Sequence, residues 1–108
     1  MAYKLERLNE LIKEVLGRII LEEEEFGQGV LVTIMGAKTS EDGLHCRVAI
    51  SVFPDKNGPI VLEVLTRHIY HLQQMLNKKL QMRPVPKIRF VLDKTEAEAQ
   101  EIEEKMGK

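Results

Sequence analysis

His68 and His71 stand three residues apart in a stretch of helical periodicity, a spacing that can bring two imidazoles to one metal ion. A metal site needs more ligands than that. No cysteine or carboxylate follows at a matching offset, and the neighbours are cationic, so both histidines read as helix-surface side chains. Cys46 falls on the apolar side of an alternating stretch, where a small buried hydrophobe is a simpler reading than a nucleophile. Asp93 and Glu98 form a carboxylate pair in sequence, yet capping of a helix that starts between them explains both positions. The phosphate-cradling G-x-x-x-x-G-K-S/T, the dinucleotide G-x-G-x-x-G and the zinc-protease H-E-x-x-H are all missing. The expectation is a protein that is not an enzyme, with no metal, no cofactor and no small-molecule substrate.

Cations carry the stronger signal. Between Glu63 and Asp93 there is no acidic residue, while Arg67, Lys78, Lys79, Arg83, Lys87 and Arg89 fall in that interval. The net charge is −1, so the block is offset elsewhere, by Glu22 to Glu25 and by Glu96, Glu98, Glu101, Glu103 and Glu104. Segregated positive charge on a near-neutral chain is a signature of polyanion binding, because Lys and Arg displace counterions from phosphates. Lys78, Lys79 and Arg83 alone would say little, since cations suit the C-terminal end of a helix dipole. The continuation to Lys87 and Arg89 exceeds that explanation. Aromatic residues are few, with only Tyr3, Tyr70 and Phe53 on polar faces. Phosphates and RNA shape, rather than base stacking, are therefore expected to dominate contact.

The elements that would hold these cations can be read from periodicity. Leu5, Leu8, Leu11, Ile12, Val15, Leu16, Ile19 and Ile20 form the stripe of a one-sided helix. Gly17 interrupts it and suggests a close helix–sheet approach. The four glutamates at its end read as a solvated, frayed terminus, and Gly27 and Gly29 stop it. Val30 to Met35 and Leu44 to Phe53 alternate as strands joined by the turn Ser40-Glu41-Asp42-Gly43, giving an antiparallel hairpin. Asn57 or Gly58 caps a second helix with Pro59 in its first turn. That helix is long enough to bend near its middle. Pro84 and Pro86 end it, and Ile88, Phe90 and Leu92 mark a third strand, expected parallel to the second. Thr95-Glu96-Ala97-Glu98 is a capping box opening a short acidic helix, about 95–106. The predicted class is α+β, order α-β-β-α-β-α, with a three-stranded mixed sheet and helices packed on one face.

A chain of 108 residues reads as a single domain, 1–108. One cysteine cannot form an internal disulfide and fits a reducing compartment. The first residues are too charged for a secretory signal and no apolar run could span a bilayer. These features predict a cytoplasmic protein with no membrane partner.

The motifs resemble those of ribosome-binding factor A. Val32-Thr33-Ile34, Ser40-Glu41-Asp42 and Arg47-Val48-Ala49-Ile50-Ser51-Val52-Phe53 match that family's hairpin pattern. Leu80-Gln81-Met82-Arg83-Pro84-Val85-Pro86-Lys87-Ile88-Arg89-Phe90, followed by Asp93 and Thr95, is similar to its "L-x-L-R-x-V-P-x-L-x-F" segment, and Arg7-Leu8 and Ile102 also fit. Two places differ. His68-Ile69-Tyr70 stands where the family has a helix kink of the form Ala-x-Gly, and Glu25-Phe26-Gly27-Gln28 where it often has Asp-Pro-Arg. The resemblance implies a KH-like fold of the second topology without enzymatic activity. It also implies binding to the free small ribosomal subunit and its 16S rRNA, help in late maturation and 5′-end processing, and importance in the cold.

The expected RNA-binding residues are Lys78, Lys79, Arg83, Lys87 and Arg89, with Arg67 from the same block. Arg7 and Lys4 join them by family position, and Arg47 by exposure. A monomer is expected. The rival reading is a protein–protein interaction module of the same fold, using the hairpin edge or the acidic helix; a small hydrolase, with only the two histidines to offer, ranks last.

Overall fold

The computed structural model describes residues 4–93. Helix α1 (Leu5–Glu23) buries Leu8, Ile12, Leu16, Ile19 and Ile20, the stripe read from the sequence. The chain then turns through Gly27 (φ 100°) and Gly29 (φ 82°), a left-handed backbone that glycine adopts without a Cβ clash. Strand β1 (Leu31–Thr39) pairs antiparallel with β2 (His45–Phe53), from Leu31 opposite Phe53 to Thr39 opposite Cys46. A 3₁₀ turn (Asp55–Asn57) leads into α2 (Gly58–Arg67), with a proline in its first turn and Asn57 at the cap position, though its side chain makes no capping bond. Helix α3 (Ile69–Lys79) follows at once, and β3 (Lys87–Leu92) returns parallel to β2. The sheet order is β1-β2-β3. This is the mixed three-stranded α+β architecture expected; the closing acidic helix, 95–106, lies outside the described residues.

The expected bend in the second helix is a one-residue break. His68 leaves helical geometry (φ −95°, ψ 13°), yet its N–H still donates to Val64 O (3.0 Å) and its C=O accepts from Leu72 N (3.1 Å). Hydrogen bonding therefore passes through the break, although the backbone at His68 is not helical.

All the buried apolar faces meet on one side of the sheet. Cys46, Val48, Ile50, Val52, Ile88 and Phe90 point from β2 and β3 into Leu8, Ile12 and Leu16 of α1, Leu65 of α2, and Leu72 and Leu76 of α3. Truncating any of the fully buried leucines to alanine is expected to cost about 2–5 kcal/mol, through lost transfer energy and the cavity left behind. Burial of Cys46 raises its thiol above the ordinary range, as expected for a packed, inert sulfur. Gly17, by contrast, marks no close approach. A Cβ there would meet nothing within 4 Å, so the glycine lies over open space and the expectation from sequence is corrected.

Strand β1 runs four residues past Met35, where the alternation read from sequence ends. The ladder slips between Ile34, opposite Ile50, and Gly36, opposite Ala49, so Met35 is an extra residue, a β-bulge. Before the bulge Val32 and Ile34 face the helices; after it Ala37 and Thr39 do. The opposite face of the sheet carries no described element. Leu31, Met35 and Phe53 are exposed there, as are Lys38, Arg47, Lys87 and Arg89. Among the described residues no helix is long and apolar enough to cross a membrane.

Candidate nucleic-acid interface

Register places cations side by side on the open face. Lys38 stands opposite Arg47 across the antiparallel ladder, and Arg47 neighbours Arg89 across the parallel one. One row of positive charge thus crosses all three strands. His45 and Lys87 form the next row toward the sheet end. No acidic residue occurs within β1, β2 or β3. Among the described residues Lys38, Arg47, Lys87 and Arg89 make no ion pair, whereas Arg18 and Arg67 do, with Glu14 (3.0 Å) and Glu63 (2.9 Å). Like charges directly opposite one another destabilise a sheet by a few tenths to about 1 kcal/mol per pair. A fold that keeps three in register holds a surface primed for an anion.

Hydrogen bonds around the row fix the strands that carry these side chains. In the hairpin turn Asp42 accepts from Ser40 Oγ (2.5 Å) and Leu44 N (3.0 Å), while Ser40 Oγ accepts from His45 N (3.1 Å). The Ser40 hydroxyl, with the Leu44 N–H, holds the Asp42 carboxyl below the usual carboxylate range. At the same end Asn9 Oδ1 accepts from Thr39 N (2.9 Å), tying β1 to α1, and Lys87 N donates to Leu44 O (2.9 Å), tying β3 to the hairpin. Gln73 on α3 does the most. Its Oε1 accepts from Ile88 N (2.9 Å) and its Nε2 donates to Pro86 O (3.1 Å), so one side chain clamps the start of β3.

Two concavities follow the cations. One, of about 730 Å³, is lined by Lys38, Ser40, His45, Arg47, Lys87 and Arg89 and reaches Thr66 and Ile69 beside the helix break. The second, of about 590 Å³, holds Gln73, Asn77, Arg83 and Lys87. Lys87 belongs to both, so Arg83, Lys87, Arg89 and Arg47 form one track that Lys38 extends to β1. Lys78 and Lys79 are exposed on the last turn of α3, next to Asn77 at the Arg83 end. The other expected residues fall elsewhere. Arg67 is held by Glu63. Arg7 lines a different hollow with Glu10, Lys13 and Glu14 along α1 and β1, and Lys4 lies just ahead of α1.

Sequence reasoning missed Lys38 and His45. Extrapolating the alternation of Val30, Val32 and Ile34 beyond Met35 would place Lys38 on the buried side; the bulge reverses that phase. His45 alternates outward with Arg47 on β2, but its place beside Lys87 depends on the β2–β3 register, which periodicity does not fix.

The acidic run at the end of α1 is the solvated terminus expected at Glu22, Glu23 and Glu25, which are exposed, but not at Glu24, and the helix holds to its last turn. Helix α1 ends at Glu23, and the Glu24 side chain is only 5% exposed, with both carboxylate oxygens on His68 Nδ1 (2.8 and 3.0 Å). Glu23 reaches His71 Nε2 at 3.4 Å. The histidines that sequence left as surface side chains are therefore the partners of that run, and they fasten α1 to the helix break. A charge block buried at one member, with a specific imidazole partner, is a packing feature that no local pattern encodes. The four groups do not converge as metal ligands: among the described residues no group of three or more His, Cys, Asp or Glu could hold an ion.

Known proteins share this fold. The family model for ribosome-binding factor A matches residues 4–106. The chain belongs to that family. It is similar to ribosome-binding factor A of Mycoplasmopsis pulmonis, 33% identical over 101 residues, covering 94% of this chain and 88% of that protein. It is also similar to the protein of that name from Coprothermobacter proteolyticus, 33% identical over 88 residues, which are 82% of this chain and 64% of that one. Among solved structures, the crystal structure of ribosome-binding factor A from Thermus thermophilus superposes with a TM-score of 0.72 at 25% identity, covering 82% of this chain and 94% of that one. A Thermus thermophilus ribosome-binding factor A fitted into a map of its complex with the 30S subunit shares the fold (TM-score 0.70, 24% identity), covering 84% and 96% of the two chains. The KH-like fold inferred from motifs is thus the fold observed.

Proposed function

We propose that this chain is a non-enzymatic assembly factor that binds the free small ribosomal subunit, contacts its 16S rRNA, and assists late maturation and 5′-end processing of that RNA. It acts as a cytoplasmic monomer whose contribution grows in the cold. The observation that carries the reading is the row Lys38–Arg47–Arg89, without an ion pair among the described residues and continued by Lys87 and Arg83, in a chain of this family. Phosphates are the ligand such a row suits, and the Thermus thermophilus relative was placed on a 30S subunit. Lys78 and Lys79 extend the track at its Arg83 end. Lys4, Arg7 and Arg67 have peripheral roles, since they lie away from it or beside acid.

Co-sedimentation with separated small and large subunits tests the reading, at low and moderate salt, for wild type and Lys78→Ala/Lys79→Ala/Arg83→Ala. Binding to small subunits alone, weakening steeply with salt and reduced in the triple variant, is expected. Failure to bind any ribosomal particle would overturn it.

A further inference from the structure

The open sheet face is graded along its length, and the end away from the cations has a different chemistry. Six residues beyond Arg47 on β2, about 20 Å at ~3.3 Å per residue, Phe53 is 68% exposed with Leu31 directly opposite at 64%. Between Arg47 and Phe53 the outward residues of β2 are small, Ala49 and Ser51, with Thr33 opposite Ser51. A cationic end, a low floor and an exposed aromatic ring therefore lie along one strand. No acid interrupts them within the strands, and Asp93, just past β3, marks the limit of the cationic part.

We propose that this face carries an unpaired RNA segment of about three to four nucleotides, its phosphates on Lys38, Arg47 and Arg89 and one base stacked on Phe53. The inference rests on the RNA-binding reading above and gives its partner a form: single-stranded rather than helical. Continuity and charge favour RNA over a protein partner, because the aromatic end opens directly onto the cationic row. A duplex would meet the phosphate row equally well and leave Phe53 idle. Every base has a π-face, so the ring adds affinity without choosing sequence, by about tenfold within the usual range for one stacked base.

The chain has two tyrosines and no tryptophan, so Phe53→Trp introduces a single indole, excited selectively at the red edge, at the decisive place. The probes are a labelled ten-nucleotide unstructured RNA and an RNA duplex of the same length, titrated by fluorescence anisotropy into wild type, Phe53→Ala, Leu31→Ala and Arg47→Ala/Arg89→Ala, with circular dichroism confirming each fold. The single strand should bind more weakly to Phe53→Ala by about tenfold while the duplex is unaffected. Leu31→Ala should change little, and the single strand should quench Phe53→Trp emission. Binding that is lost in Arg47→Ala/Arg89→Ala but indifferent to Phe53→Ala, with no quenching, would overturn this inference and leave RNA binding intact. Equal losses in Leu31→Ala and Phe53→Ala, or a change in self-association instead of RNA affinity, would mark the end as an apolar protein contact and also overturn it. No affinity for either RNA in any form would overturn both readings.

Discussion

The open sheet face and the helix break are two charged regions built on opposite terms. On the sheet, Lys38, Arg47 and Arg89 stand in register with no acid among them. At the break, His68 and His71 meet Glu24 and Glu23, and the Glu24 carboxylate is nearly sealed from solvent. The first arrangement leaves charge unspent and available to a ligand. The second consumes charge inside the fold to fasten α1 to the α2–α3 corner. Proximity of charge to a kink or groove is thus a poor guide to binding by itself; what matters is whether the partner is already present in the chain.

The largest effect should come from reversing the open row. Arg47→Glu/Arg89→Glu is expected to weaken small-subunit binding about 100-fold or more, since like-charge contact with phosphate costs several kcal/mol. The salt dependence should also flatten, by about one phosphate equivalent for each cation removed. Arg67→Glu, at a site already engaged by Glu63, should leave affinity within a fewfold of wild type in the same sedimentation assay. Equal effects from the two would erase the distinction between spent and unspent charge.

The next effect belongs to the break and should appear in stability. His68→Ala strands the buried Glu24 carboxylate and should lower unfolding free energy by about 1–3 kcal/mol in urea titration. Adding Glu24→Gln should recover part of the loss, because no charge then remains to be buried. RNA affinity at a temperature where both variants are folded should stay near wild type. A large loss of affinity with little loss of stability would make the break part of the interface.

The smallest effect is the most telling in sign. Arg47→Thr removes the central cation of the row and places a β-branched residue in the strand. It should raise stability by about 0.2–1 kcal/mol while reducing RNA binding. A neutral or destabilising outcome would mean that Lys38 and Arg89 do not strain the sheet.

How much of this was legible depended on whether the signal was local. The α1 stripe and the alternation of Cys46, Val48, Ile50 and Val52 follow from side-chain periodicity, and the structure shows them where they were read; α3 instead ends at Lys79, with Leu80 already extended, ahead of the prolines expected to stop it. Of the cations, Lys87 and Arg89 were found because a run without acid is visible in one dimension. Their alignment with Arg47 was not, since it depends on the β2–β3 register. Lys38 was lost to a phase reversal, and the Glu24–His68 pair, 44 residues apart, to the absence of any local pattern for long-range contact. The clamp of Gln73 on the start of β3 is likewise a contact between separate elements, with no signal in the periodicity of α3.

The extra residue at Met35 gives β1 one residue of slack. Ile34 and Lys38 have a spacing that plain alternation would put on one face, yet the ladder sets them on opposite faces. Deleting Met35 would restore plain alternation and still leave Lys38 opposite Arg47, so the row tolerates a one-residue loss here. Were the ladder to close over the bulge with every residue retained, Lys38 would come opposite Cys46, above the apolar core, and the row would lose one end. Rank in the ladder, rather than count along the chain, therefore identifies the cation equivalent to Lys38 in any relative, and an ungapped alignment through β1 can point to a core residue instead.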